Sequence, residues 1–149
     1  MITAQLVVAT ARTWLGTRWR HQACLKHVGT DCIHFIAGVA REVGVTTAQG
    51  FFADAALHNY GRTPDPGMLY AACDQLMERV DTESRALADV LVIRFGRHPT
   101  HFAFVSQTQP LRMIHAWARA RQVVEHGLEE PWVSRIARVY RLPGVTWAN

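Results

Sequence analysis

The feature that most constrains this chain is a change of hydrophobic period part-way along it. Up to about residue 80, apolar side chains recur at spacings of three and four; from Val90 onward they alternate. Residues 3–15 carry Leu6, Val7, Ala9, Thr10, Thr13 and Trp14 as a rough helical stripe, with Thr3 as cap and Gly16 as stop. Residues 17–30 are irregular. Asp31 then offers a side-chain cap to a helix whose stripe is Ile33, Ile36, Val39, Ala40 and Val43, and Gly44 falls where a left-handed terminator belongs. Residues 50–67 read as an excursion, with turn chemistry at Asn59-Tyr60-Gly61 and Pro64-Asp65-Pro66-Gly67. A helix over about 68–79 follows, with Leu69, Ala72, Cys73, Leu76 and Met77 on one face. Strands are expected at 90–95, 101–106, 112–118, 123–126 and 136–142. Helices first and strands second predict an α+β fold with N-terminal helices packed on a roughly five-stranded antiparallel sheet, and exclude alternating βαβ units.

A chain of 149 residues that is 49% apolar suits one domain spanning 1–149. No apolar run approaches the ~18–20 residues of a membrane helix. Residues 1–10 lack the basic start and apolar core of an export signal, which predicts cytoplasmic synthesis without one. Three cysteines do not make a multi-bridge framework. All the basic residues but Lys26 are arginine, in a net charge of +4. They are scattered, without interleaved aromatics, so no specific nucleic-acid partner is expected. No cofactor is expected either.

The chemistry centres on Cys32. A thiol in the first turn of a capped helix sees the positive end of the helix dipole and unpaired N–H groups, which by themselves lower its pKa. A nucleophilic thiol also needs an imidazole nearby. His101 and His115 both sit in strands. If 106 faces 112 across a hairpin, then 103 faces 115, so 101 and 115 share a sheet face as diagonal neighbours. One ring then serves as base and the other orients it.

The run Trp14-Leu15-Gly16-Thr17, Trp19-Arg20-His21-Gln22, Gly29-Thr30-Asp31-Cys32 resembles the N-terminal half of the NlpC/P60 cysteine peptidases, especially the short type found in phage tail clusters and gene transfer agents. Later segments agree: Ala88-Asp89-Val90-Leu91, His101-Phe102-Ala103-Phe104-Val105, Met113-Ile114-His115-Ala116, Val123-Val124-Glu125-His126 and Tyr140-Arg141-Leu142-Pro143-Gly144. The resemblance implies a papain-like α+β fold, with Cys32 as nucleophile, His101 as base and His115 as the orienting third residue. It implies cleavage of peptide bonds in bacterial peptidoglycan through a thioester, by a component carried in a phage virion among tail and baseplate proteins. The oxyanion and substrate cleft is then expected around Trp19, Gln22, Asp31 and His34, with the Cys32 backbone N–H as a further donor. Asp31 is expected to cap the helix rather than to act chemically.

Two departures from the pattern stand out. Asp-Cys-Ile-His replaces the familiar Asp-Cys-Ser-Gly, putting a large side chain at His34, and Ala88 replaces a glycine. The altered step motivates a second reading, a non-catalytic tail-assembly protein that keeps the fold. A zinc set drawn from His21, Cys24, His27, Cys32 and His34 also competes on composition, but Cys32 and His34 in one helical turn point in different directions. Cys24 and Cys73 read as small hydrophobes, Trp117 and Trp132 as core or cleft wall, and His58, His98 and His126 as surface or loop residues.

Overall fold

A computed structural model describes residues 1–54, 57, 65–95 and 98–147, with backbone alone at 98–100. The chain opens with a two-residue strand β1 (Ile2–Thr3) and helix α1 (Ala4–Arg12). The Thr3 hydroxyl accepts the Leu6 N–H at 3.0 Å, and Ala4, Val7, Val8 and Ala11 are buried. A short hairpin, β2 (Cys24–Leu25) and β3 (Gly29–Thr30), leads into α2 (Cys32–Val43). Every residue of α2 from Cys32 to Ala40 is buried, which makes it the central helix. Asp31 caps it through the His34 N–H at 2.9 Å, and Gly44 ends it at φ 86°.

The expected excursion contains a helix of its own, α3 (Ala48–Ala53); the turn at Asn59-Tyr60-Gly61 and residue His58 lie outside the described residues. The next helix, α4, is Pro66–Leu76 rather than 68–79. Asp65 caps it and Pro66 fills its first turn, where a missing N–H costs nothing. Residues Glu78–Val80 then leave the helix and form strand β4.

The remaining strands are β5 (Val90–Phe95), β6 (His98–Thr108), β7 (Leu111–Trp117), β8 (Gln122–Gly127) and β9 (Ile136–Arg141), with β10 (Val145–Thr146) beside β1. The main sheet therefore has six strands, in the order β4-β9-β5-β6-β7-β8, and its paired strands are antiparallel. The sixth is β4, whose pattern in the sequence continues that of the helix before it.

The sheet is apolar on both faces. Val90, Val92, Phe102, Phe104, Ile114 and Ala116 pack against the helices. Leu91, Ile93, Ala103, Val105, Met113 and Val139 pack on the other side, under Trp132 and Val133. The β6–β7 ladder has Phe104 opposite Ile114 and Val105 opposite Met113, then a bulge at Ser106, so Arg112 faces Gln107 instead of Ser106. Residues 101 and 115 share the parity of Ala103 and Met113, on the second face. No described helix is long and apolar enough to cross a membrane.

Candidate active site

Helix α2 packs against β6 and β7, and Cys32 is its first residue. The α2 N-terminus sets the thiol against β6, and the described β6–β7 pairs stop at Phe104–Ile114. Beyond that point the backbone of Phe102 hydrogen-bonds the Cys32 sulfur. Phe102 follows His101 directly, so the sulfur lies against the strand segment that carries that ring. His101 Nε2 and His115 Nδ1 are 2.5 Å apart, and both side chains are buried. The expected diagonal pair of histidines is thus formed.

The pair does not end at His115. Its Nε2 lies 2.8 Å from Nε2 of His126, whose Nδ1 lies 2.9 Å from the Gly127 carbonyl oxygen. His126 is a β8 residue facing this site, which corrects its reading as a surface or loop residue. His98 likewise starts β6 and is no loop residue. Aromatic rings wall the three imidazoles. Trp132 lies 6.2, 5.2 and 5.5 Å from His101, His115 and His126 between ring centroids. Trp117 stacks on His115 at 5.5 Å and Phe95 lies 5.0 Å from His101.

The electrostatics reverse one expectation. Burial pushes the Cys32 thiol up to about 12, and the Asp31 carboxylate adds to the rise. Backbone hydrogen bonds at Phe102, Ile33 and Cys32 itself pull the other way without cancelling it. Burial also holds His101 and His115 well below the usual imidazole range, with neighbouring histidines adding to it. At rest Cys32 is a neutral thiol, not a thiolate, and His101 and His115 are neutral imidazoles.

The other expected cleft residues are placed as follows. Asp31 is fully buried; its carboxylate accepts the His34 N–H at 2.9 Å, His34 Nδ1–H at 2.7 Å and the Gln22 N–H at 2.7 Å. His34 is itself buried, its ring against Phe52, which sets it inside the core rather than on a cleft floor. Gln22 is exposed and spends its backbone N–H on Asp31. Trp19 is half-buried, bridged through its backbone to Thr30. It adjoins a groove of about 270 Å³ lined by Arg18, Arg20, Ala118 and Arg121. Cys24 donates its S–H to the His34 carbonyl at 3.2 Å and Cys73 is buried in α4. Among the described residues, no three His, Cys, Asp or Glu side chains are grouped as a metal ion requires.

Sequence reasoning missed His126 and the position of Trp132. The first was within reach: the β7–β8 turn closes between Trp117 and Gln122, which puts Val124 opposite His115 and His126 on the same face.

Comparison with solved structures gives the fold a setting. An NlpC/P60 family protein from Bacillus cereus ATCC 10987 superposes with a TM-score of 0.64 at 19% identity, over 94% of this chain and 40% of its own. The NlpC/p60 domain of the peptidoglycan hydrolase SagA gives 0.65 at 16% identity, over 95% of this chain and 100% of that one. An NLP/P60 family protein from Staphylococcus aureus subsp. aureus Mu50 gives 0.62 at 14% identity, over 98% of this chain and 42% of its own. The fold is that of the NlpC/P60 domains. This chain spans well under half the length of the first and third of these relatives. No family model matches its sequence, and no curated protein does.

Proposed function

We propose that the protein is a cysteine endopeptidase acting on peptide bonds of bacterial peptidoglycan, with Cys32 as nucleophile, His101 as base and His115 as the orienting residue. The observation that carries this reading is the buried His101–His115 pair on β6 and β7, with the Cys32 sulfur held by the backbone of Phe102, the residue that follows His101. His115 engages Nε2 of His101, which leaves Nδ1 for the thiol. Nδ1 takes the thiol proton as sulfur attacks the scissile carbonyl, and then gives it to the leaving amine. Water hydrolyses the thioester, with His101 again as base. The oxyanion is met by the Cys32 backbone N–H and the Trp19 indole N–H, both donors only.

Two further features support this substrate class. Peptidoglycan peptides carry carboxylates, and the groove at Trp19 presents the guanidinium groups of Arg18, Arg20 and Arg121, none of which has a carboxylate partner among the described residues. The SagA domain, of the same fold, belongs to a peptidoglycan hydrolase. Carriage in a phage virion, among tail and baseplate proteins, is the part of the proposal that rests on the sequence resemblance alone.

The test is release of new amino groups from purified peptidoglycan peptides. Wild type releases them and Cys32→Ala does not; a wild type that cleaves nothing, alone or in its native assembly, overturns the reading. The buried, protonated thiol favours the second reading, an assembly protein that keeps the fold. That reading stands if Cys32→Ala particles assemble and deliver DNA as wild type does.

A further inference from the structure

The bond between His101 and His115 does not by itself say which nitrogen carries the proton, and the catalytic assignment depends on it. If His101 Nε2 is bare, its Nδ1 carries the hydrogen and cannot receive the thiol proton. In many triads a carboxylate in the third position settles this, because it can only accept. Here the third residue is an imidazole, which can do either.

The far end of the chain of rings removes the ambiguity. The Gly127 carbonyl oxygen, 2.9 Å from His126 Nδ1, can only accept, so that nitrogen bears the hydrogen. In a neutral ring, His126 Nε2 is then an acceptor, and it faces His115 Nε2 at 2.8 Å. His115 Nε2 therefore donates and its Nδ1 accepts. Nδ1 of His115 faces Nε2 of His101, which must donate in turn. His101 Nδ1 is left bare. Each step follows from the one before, and the series starts at a backbone oxygen that cannot change role.

We infer that His126 is a positioning residue for the reaction: anchored on the Gly127 carbonyl, it sets the tautomer of His115 and through it makes Nδ1 of His101 the base. The inference rests on the catalytic reading above for its kinetic consequence, but not for the tautomers themselves. The arrangement requires all three rings to be held in plane with their bonds, and Trp132 against all three and Trp117 against two supply that packing. His126 touches no substrate in this account and acts only through His115.

The experiment reads tautomers directly, by 15N NMR of ring-labelled histidine in the whole protein, alongside kcat and KM on a peptidoglycan peptide. The variants are His126→Gln, which keeps an acceptor oxygen near the Nε2 position, and His126→Phe, which keeps the ring shape against the tryptophans but accepts nothing. Wild type and His126→Gln are expected to show His101 protonated at Nε2 only. His126→Phe is expected to show mixed tautomers at His101 and His115, and a kcat about tenfold lower with KM unchanged, in the range lost when an orienting partner is removed. Wild-type His101 protonated at Nδ1 overturns the inference whatever the variants do. So does a folded His126→Phe with wild-type tautomers and kcat, or a folded His126→Gln as defective as His126→Phe. A protein that cleaves no peptide leaves the tautomer readout in place, so failure of the peptidase reading and failure of this one are told apart.

Discussion

The protonated resting state of Cys32 is open to a direct chemical test, alkylation by iodoacetamide as a function of pH. Only the thiolate reacts at a useful rate. A thiol pushed up to about 12 is ionised to roughly one part in 100,000 at pH 7, whereas an ordinary thiol of pKa ~8.5 is ionised to about 3%. Ionisation alone therefore slows Cys32 about 3,000-fold against a free peptide thiol, before any steric hindrance is counted. The rate should rise about tenfold per pH unit up to at least pH 10, without a plateau. Cys24 is an internal reference, since it is half-buried and pushed up only to about 11. Peptide mapping by mass spectrometry should find Cys24 modified before Cys32 throughout. His101→Ala should leave the shape of the Cys32 profile unchanged, because no imidazolium holds a thiolate at rest. A plateau in Cys32 alkylation below pH 7, abolished by His101→Ala, would refute this reasoning and show a preformed ion pair.

Three other outcomes follow from the same structure. Removing the Asp31 carboxylate takes away the α2 cap and leaves the buried His34 ring N–H without its acceptor, so Asp31→Ala should cost about 3–5 kcal/mol in urea unfolding; a loss under about 1 kcal/mol contradicts the geometry. His101 and His115 are held below their unfolded value of 6.5, so the stability they confer is complete above pH 6.5 and is lost as pH falls toward their folded values. The slope is up to about 1.4 kcal/mol per pH unit for each, and unfolding free energies that are flat or rising between pH 6.5 and 5 would be inconsistent with it. Ala88 is buried with φ 70°, where a side chain costs about 1–2 kcal/mol and its methyl returns about 0.8. Ala88→Gly should therefore leave the melting temperature unchanged or raise it by a few degrees, and a fall of more than about 4 °C would count against the strain.

What the sequence made legible was whatever short-range chemistry specifies. Asp31 and Gly44 bracket α2 because a cap and a left-handed glycine act within a turn of the helix. His101 and His115 met as expected because strand alternation fixes the face of every residue once one pair is set, and the bulge at Ser106 shifts the pairing only on the turn side of both histidines. Strand β4 was hidden because Met77-Glu78-Arg79-Val80 carries no proline or glycine to mark where α4 stops; its pairing with β9 is what ends the helix. Trp132 comes from a loop without periodicity, so nothing local announces its contact with all three imidazoles. The glycine expected in place of Ala88 has its physical reason in the left-handed backbone there.

The thiol shows most clearly where local reasoning stops. The dipole of α2 and its terminal N–H groups do favour the thiolate, as the position of Cys32 in the sequence implies. Such placement contributes up to about 2 kcal/mol, or some 1.5 pKa units. Full desolvation opposes it by as much as 3–5 units, and here the buried Asp31 carboxylate works in the same direction. The larger effect depends on how completely β6 and the surrounding chain enclose the sulfur, which no residue near Cys32 encodes. Burial likewise holds His101 and His115 below the usual imidazole range and keeps them neutral. Thiol and imidazoles are thus all uncharged at rest. Under the proposed peptidase reaction, the proton would move only as charge develops on the substrate, and the ion pair would form in the transition state rather than before it.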